Sequence, residues 1–232
     1  RLCSLELPLE FLKRNGVHAA DGRRVAGPAR RPDMLNAHMA GFASALRPHF
    51  SDTIAWDAVN YYFAPFVRDA DDDSLADSAR ILLHEFAYRA LSMGGQLGAS
   101  VLALSWECPE YLYDQDSIGP GGDHTGLQYQ ELEHSAQRLA WAILDAYNEA
   151  GRNSPYLSAP IPEIRLTPSS LRAPGYERFI EHAARAVTAW GNVRFSFLRD
   201  EPLLPHTDDL FRARGVIAQR VTLNLPRAAF RA

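Results

Sequence analysis

Cysteine is scarce in this sequence, with two residues in 232, Cys3 and Cys108. Two thiols cannot build a disulfide framework, so the chain reads as a protein of a reducing compartment, the cytoplasm. Long apolar runs are missing as well. No stretch reaches the roughly 18 apolar residues that a membrane-spanning helix needs, so no membrane is expected. The opening RLCSLELPLEFLKRNG lacks an extended apolar core and a small-residue cleavage site, so no signal peptide is expected in it. An excess of basic residues is also absent. Lys and Arg number 24 against 28 Asp and Glu, for a net charge of −4 and a pI near 6.1. A bulk nucleic-acid binder carries the opposite balance, so no nucleic-acid partner is expected. The local basic run Arg23, Arg24, Arg30 and Arg31 reads as a solvated loop, with phosphate contact as the alternative.

Several common catalytic signatures are missing. His84 and Glu85 are adjacent, but Tyr88 stands where a zinc-binding HExxH would need its second His. No GxSxG elbow, GxGxxG loop or Walker A segment occurs. His124 and His134 have no companions at metal-ligand spacing and are expected at the surface, so no metal is expected. Glu107, Glu110, Asp114 and Asp116 read as acids of a solvated loop.

What is present is an ordinary globular composition, 47% hydrophobic and 22% charged, long enough to bury a sizeable core. The leucine stripe Leu5, Leu9 and Leu12 predicts a helix from Leu5 to Lys13, closed by Asn15-Gly16. Val17 to Arg31 reads as loop. Pro32 opens a helix to about Phe50, with Leu35, Met39, Phe42 and Leu46 inward. A short helix from Ile54 to Phe66 is expected to break at Pro65. Asp73 or Ser74 is expected to cap a helix from Leu75 to Met93, which Gly94-Gly95 would stop.

The unbroken apolar run Ala99 to Trp106 predicts a strand buried on both faces. After a loop from Asp114 to Thr125, Gln128 to Ala150 predicts a long helix ended by Gly151. Ile161 to Leu166, Val193 to Leu198 and Gly215 to Leu225 are strand candidates, and Pro174 to Trp190 is a helix stopped by Gly191. Asp200 to Asp209 reads as loop. Strands separated by long helices indicate parallel crossovers and an α/β fold. No internal repeat, low-complexity tail or linker interrupts the pattern, so residues 1–232 are expected to form a single domain. The first residue is Arg1 rather than Met, which suits a piece of a longer protein.

Five segments, in order, carry a resemblance. They are LCSLELPLEFLKRNGV, WDAVNYYFAPFVR, MGGQ, the helix from Leu127 with SPYLSAPIPEIRLT, and VTLNLPRAAF. Together they resemble the catalytic barrel of the anaerobic (class III) ribonucleotide reductases, which are glycyl-radical enzymes. The resemblance implies part of a ten-stranded α/β barrel with outer helices, a fragment of that catalytic barrel. It implies radical reduction of ribonucleoside triphosphates to deoxyribonucleotides. The glycyl radical would be stored outside this stretch, with no cofactor bound by the stretch itself. The implied partners are the ribonucleoside triphosphate, a radical S-adenosylmethionine activating enzyme and a second copy in a homodimer. The family's glycyl loop, four-cysteine zinc site and effector-binding cone are not seen in these residues.

The resemblance also assigns residues. Cys3 falls where the family has its second, reducing cysteine, although a lone cysteine otherwise reads as a small buried hydrophobe. Asn224 in TLNLPR matches an asparagine that would hydrogen-bond the ribose hydroxyls. Gly94, Gly95 and Gln96 would bring backbone close to substrate, while a Gly-Gly after a helix is equally a stop signal. Met93 stands where the family usually has Arg. Cys108 matches no family cysteine and reads as structural. One departure is marked: the family's thiyl-forming cysteine belongs between VRFSFL and VTLNLP, and no cysteine occurs between Val193 and Asn224. Two other readings therefore stand beside the reductase: a different glycyl-radical enzyme, and a catalytically inactive homologue that binds nucleotide or assembles with a partner.

Overall fold

The computed structural model describes residues 2–19, 21–92, 100–153, 160–198 and 209–219. The chain opens with strand β1 (Ser4–Leu7) and a short helix α1 (Glu10–Asn15). A small hairpin follows, β2 (Val17–His18) against β3 (Arg24–Ala26), then helix α2 (Pro32–Leu46). Strand β4 (Ile54–Trp56) leads into α3 (Val59–Val67) and α4 (Asp72–Ser92). Strand β5 (Ser100–Ser105) precedes one turn of helix α5 (Glu110–Tyr113) and a second hairpin of β6 (Asp116–Ile118) and β7 (His124–Gln128). Helix α6 (Glu133–Asn153), strand β8 (Ile161–Leu166), helix α7 (Tyr176–Trp190), strand β9 (Arg194–Phe197) and strand β10 (Gly215–Ile217) complete the order.

The principal sheet has six strands in the order β10-β1-β4-β5-β8-β9. β1, β4, β5, β8 and β9 run parallel, and β10 returns antiparallel to β1. This is the α/β class with parallel crossovers, in a curled sheet amounting to half a barrel. Side-chain alternation divides the sheet into two faces. Leu5, Ile54, Trp56, Leu102, Leu104, Ile164 and Leu166 join the large apolar core beneath the helices. Ser4, Glu6, Ala55, Val101, Ala103, Ser105, Glu163 and Arg165 occupy the alternate positions and line the other face. All six residues of β5 are buried, as a central parallel strand requires.

The parallel strands over 100–105, 161–166 and 194–197 agree with the apolar runs in the sequence, as do helices α2, α4 and α7. Gly191 (φ 78°) closes α7 in the left-handed conformation. Leu5 to Lys13 is not one helix, however. Ser4–Leu7 is extended because Leu5 takes a place in the sheet between Ile54 and Val216, and only Glu10–Asn15 is helical. Ile54–Trp56 is likewise a strand rather than the start of a helix, and α3 runs through Pro65 to Val67. The expected loops 17–31 and 114–125 each contribute to a two-stranded hairpin. The cap of α4 is Asp71, whose carboxylate accepts the Ser74 N–H at 2.8 Å, not Asp73 or Ser74. Gly151 lies within the last turn of α6. The Gly94-Gly95 stop and the strand beyond Gln219 lie outside the described residues.

Asn60 shows how the layers are locked. It is fully buried on α3 and donates to the Ser105 carbonyl at 2.8 Å and the Ala136 carbonyl at 3.1 Å. Its oxygen accepts the Ser105 N–H at 3.1 Å. One side chain thus satisfies both backbone groups of Ser105 at the end of β5, and ties them to the Ala136 carbonyl of α6, which already accepts a bond within its helix. Asn60→Ala is expected to lower the unfolding free energy by about 3 kcal/mol in urea denaturation, because those groups lose their bonds without gaining water.

Candidate active site

Cys3 is buried at a bend just before β1. Its backbone is held from two sides: its N–H donates to the Ile217 carbonyl at 2.8 Å, and its carbonyl accepts the Asp52 N–H at 2.9 Å. The thiol points at the Asp52 carboxylate, 3.9 Å away. The Ser4 hydroxyl lies 3.5 Å from the same carboxylate oxygen and 3.7 Å from the sulfur. Arg47, itself buried, donates to the Asp52 carbonyl at 2.8 Å. The thiol therefore has an acceptor and a defined orientation at the amino-terminal edge of the sheet.

Three residues along β1, roughly 10 Å at strand rise, a denser cluster gathers at the carboxyl-terminal ends of the parallel strands. Asp57, directly after β4, is completely buried. Its Oδ1 receives Nη1 of Arg165 at 2.5 Å. Its Oδ2 receives the Tyr111 hydroxyl at 2.6 Å and Nε of Arg214 at 3.1 Å. The other terminal nitrogen of Arg165 pairs with Glu6 on β1, and its Nε lies 3.7 Å from Glu163. Arg214 also stacks over the Tyr111 ring, 3.4 Å from its centroid.

Burial alone would lower the Arg165 pKa, but Asp57 and Glu6 together outweigh it, and the guanidinium is held firmly charged. Burial, with the Asp57 carboxylate beside it, drives the Tyr111 hydroxyl far above the ordinary phenol range, so it stays a donor. The carboxyl ends of parallel strands are where α/β folds place their binding groups. Here that edge presents fixed donors and acceptors rather than an apolar plug.

A third polar cluster lies under α1. Lys13, the chain's single lysine, is fully buried. It lies 3.3 Å from Glu10 and 2.5 Å from the Tyr129 hydroxyl, which also bonds Glu10. Burial pulls the Lys13 pKa down to about 8 against the opposing pull of Glu10. The group faces the core between α1, α3 and the turn at Tyr129, which suits a structural tie. At the end of β5, burial, with Glu133 adding, pushes the Cys108 thiol up to about 12. That makes Cys108 a poor nucleophile, consistent with a structural role.

Of the candidate residues in the sequence, Cys3 lies at the bend that leads into β1. Asn224, Gly94, Gly95 and Gln96 lie outside the described residues, as does Met93. His124 and His134 are exposed, and His124 lies 2.6 Å from Arg14. Arg23 and Arg31 pair with Asp21 and Asp33. Asp57, Arg165, Arg214, Glu6 and Tyr111 belong to no catalytic motif in the sequence. Their signal was present in charges at alternate positions of an otherwise apolar strand, Glu163 and Arg165 in IPEIRL. Among the described residues no helix is long and apolar enough to cross a membrane.

A family profile described as anaerobic ribonucleoside-triphosphate reductase matches residues 2–232. No curated protein matches the sequence. Among solved structures, the anaerobic ribonucleotide reductase of Thermotoga maritima in complex with dATP and CTP is similar, with a TM-score of 0.62 at 11% identity. That alignment covers 86% of this chain and 34% of the other. The same enzyme with dATP in its specificity site gives a TM-score of 0.64 at 10% identity, over 85% and 34% of the two chains. A further anaerobic ribonucleotide reductase gives 0.64 at 11% identity, over 85% and 31%. The chain thus spans about a third of the length of the structures it resembles, and at this identity they establish the fold.

Because Lys13 is the single lysine, its titration can be followed by one resonance after selective lysine labelling. The amine is expected to titrate near 8 in the folded protein. Between about 8 and its ordinary 10.5 the unfolded chain binds more protons than the folded one, so this group makes stability rise with pH. The stability difference between wild type and Lys13→Met should therefore shift in favour of wild type from pH 7 to pH 10, measured by urea unfolding. A flat difference would contradict the assignment.

Proposed function

Because the chain belongs to the anaerobic ribonucleoside-triphosphate reductase family, we propose that residues 1–232 form one domain, a fragment of a catalytic barrel that reduces ribonucleoside triphosphates to deoxyribonucleotides. The observation that carries this reading is the family match across 2–232 together with a buried, oriented thiol at Cys3 on the half-barrel sheet. The glycyl radical, when formed on its own segment of the parent protein, supplies the hydrogen-atom abstraction that starts the reaction. The residues of this chain hold substrate and manage protons and hydrogen atoms around it. Cys3 acts as the reducing thiol, delivering hydrogen toward the ribose 2′-position, with Asp52 orienting its S–H. Asn224 hydrogen-bonds the ribose hydroxyls, and Gly94, Gly95 and Gln96 bring backbone to the substrate. A radical S-adenosylmethionine enzyme activates the parent, which works in the cytoplasm as a homodimer.

A second reading draws on one observation. With no cysteine between Val193 and Asn224, the family's thiyl-forming position is unfilled in this sequence. That favours an inactive homologue that retains nucleotide binding. Isothermal titration of the full-length parent with each ribonucleoside triphosphate, beside an anaerobic turnover assay, separates the two. Binding with turnover supports the reductase, and binding without turnover supports the homologue.

For the reductase, Cys3→Ala in the full-length parent is expected to cut deoxyribonucleotide formation on the order of a thousandfold, with substrate affinity nearly unchanged. Unaltered turnover would remove Cys3 from the chemistry.

A further inference from the structure

We propose that Asp57 is a positioning residue that holds Cys3 in place at a distance, acting through Arg214 and the return strand β10. The inference deepens the reductase reading, because it gives the proposed reducing thiol its anchor.

The mechanical path can be followed bond by bond. Asp57 Oδ2 holds Arg214 Nε at 3.1 Å. The Arg214 backbone N–H donates to the Glu6 carbonyl at 2.9 Å, at the point where β10 meets β1. From there Gly215, Val216 and Ile217 pair with Glu6, Leu5 and Ser4. The Ile217 carbonyl then accepts the Cys3 N–H at 2.8 Å. Only Gly215 and Val216 stand between Arg214 and Ile217, whose carbonyl fixes the cysteine backbone.

Magnitudes decide which link anchors β10. The strand has three residues and lies at an edge, with Val216 51% and Ile217 40% exposed, so apolar burial contributes little. Its ladder bonds are neutral and individually weak. Arg214 is 9% exposed, pairs with a carboxylate that is wholly buried, and stacks on Tyr111. Removing Asp57 takes the carboxylate from the enclosed Arg214 guanidinium, and loss of a buried ionic partner outweighs loss of a neutral ladder bond. Among the described residues, Asp57 thus supplies the ionic hold on the segment at the point where it enters β10, downstream of the apolar seat that Leu210 takes in the core. Among the described residues, the charged and titratable groups that face Asp57 or its partners are Arg165 and Glu163 from β8, Arg214 ahead of β10, Tyr111 from α5, Glu6 from β1 and Tyr62 from α3. Arg165 is shared with Glu6 and keeps its own partners if Arg214 leaves, so the two arginines are separable.

The test compares Asp57→Asn and Arg214→Gln with wild type in the full chain. An asparagine keeps one acceptor oxygen and turns an NH2 toward the other arginine, so it cannot hold both. The readouts are the iodoacetamide alkylation rates of Cys3 and Cys108, resolved by peptide mass spectrometry, and hydrogen exchange over residues 209–219. Both variants are expected to alkylate Cys3 about tenfold faster, with faster exchange over 209–219 and an unchanged rate at Cys108. Equal acceleration of both cysteines would mean general loosening and would overturn the proposal, as would an unchanged Cys3 rate. If Asp57→Asn does not fold, Arg214→Gln decides alone, since it leaves the Asp57–Arg165 pair intact. None of these readouts depends on turnover. A selective change at Cys3 beside full activity in Cys3→Ala would retain the anchor and discard the reductase chemistry.

Discussion

One carboxylate shared between two buried guanidinium groups organises the polar edge of this sheet. Asp57 is fully enclosed, so its charge is tolerable only because Arg165, Arg214 and Tyr111 all turn donors toward it. The partners come from β8, from the segment before β10 and from α5. Their convergence fixes the relative placement of elements far apart in the chain. The same dependence runs in reverse, since both guanidinium groups are largely enclosed: Arg165 is matched by Asp57, Glu6 and Glu163, and Arg214 by Asp57. Strand ends of a parallel sheet would otherwise be free to splay.

This constraint sets the character of the half-barrel's inner face. Its middle carries small apolar side chains, Ala55, Val101 and Ala103, and its two ends carry polar clusters. At the amino-terminal edge lies a thiol with a carboxylate acceptor, and at the carboxyl-terminal edge a charged network with its donors fixed. The Lys13, Glu10 and Tyr129 group plays a different part. It sits under α1, fastening the first helix to the turn at Tyr129 while the sheet edge is held from the other side.

Much of the framework was legible in the chain. The apolar runs at 100–105 and 161–166 have the length and composition of buried parallel strands, and α7 is bounded by Gly175 and Gly191, both in the left-handed conformation. Two strands were misread as helix because Leu5 and Ile54 begin segments too short for periodicity to decide between 2 and 3.6. Their strand state comes from neighbours in the sheet, and sheet neighbours are nonlocal. The site was half legible. Cys3 could be placed by resemblance, whereas Asp57 and Arg214 look like ordinary charges beside aromatic residues until the fold buries them together.

Local chemistry along the chain thus determined the α/β class, the parallel strands, the principal helices and the family. These depend on spacing, on capping and on a preserved order of segments, all of which are properties of neighbours in sequence. Only the tertiary structure decided which charges share a buried carboxylate, that the return strand lies antiparallel against β1, and that the single lysine is enclosed. Those outcomes depend on which side chains lose water together, and that is settled by contacts between residues more than a hundred positions apart.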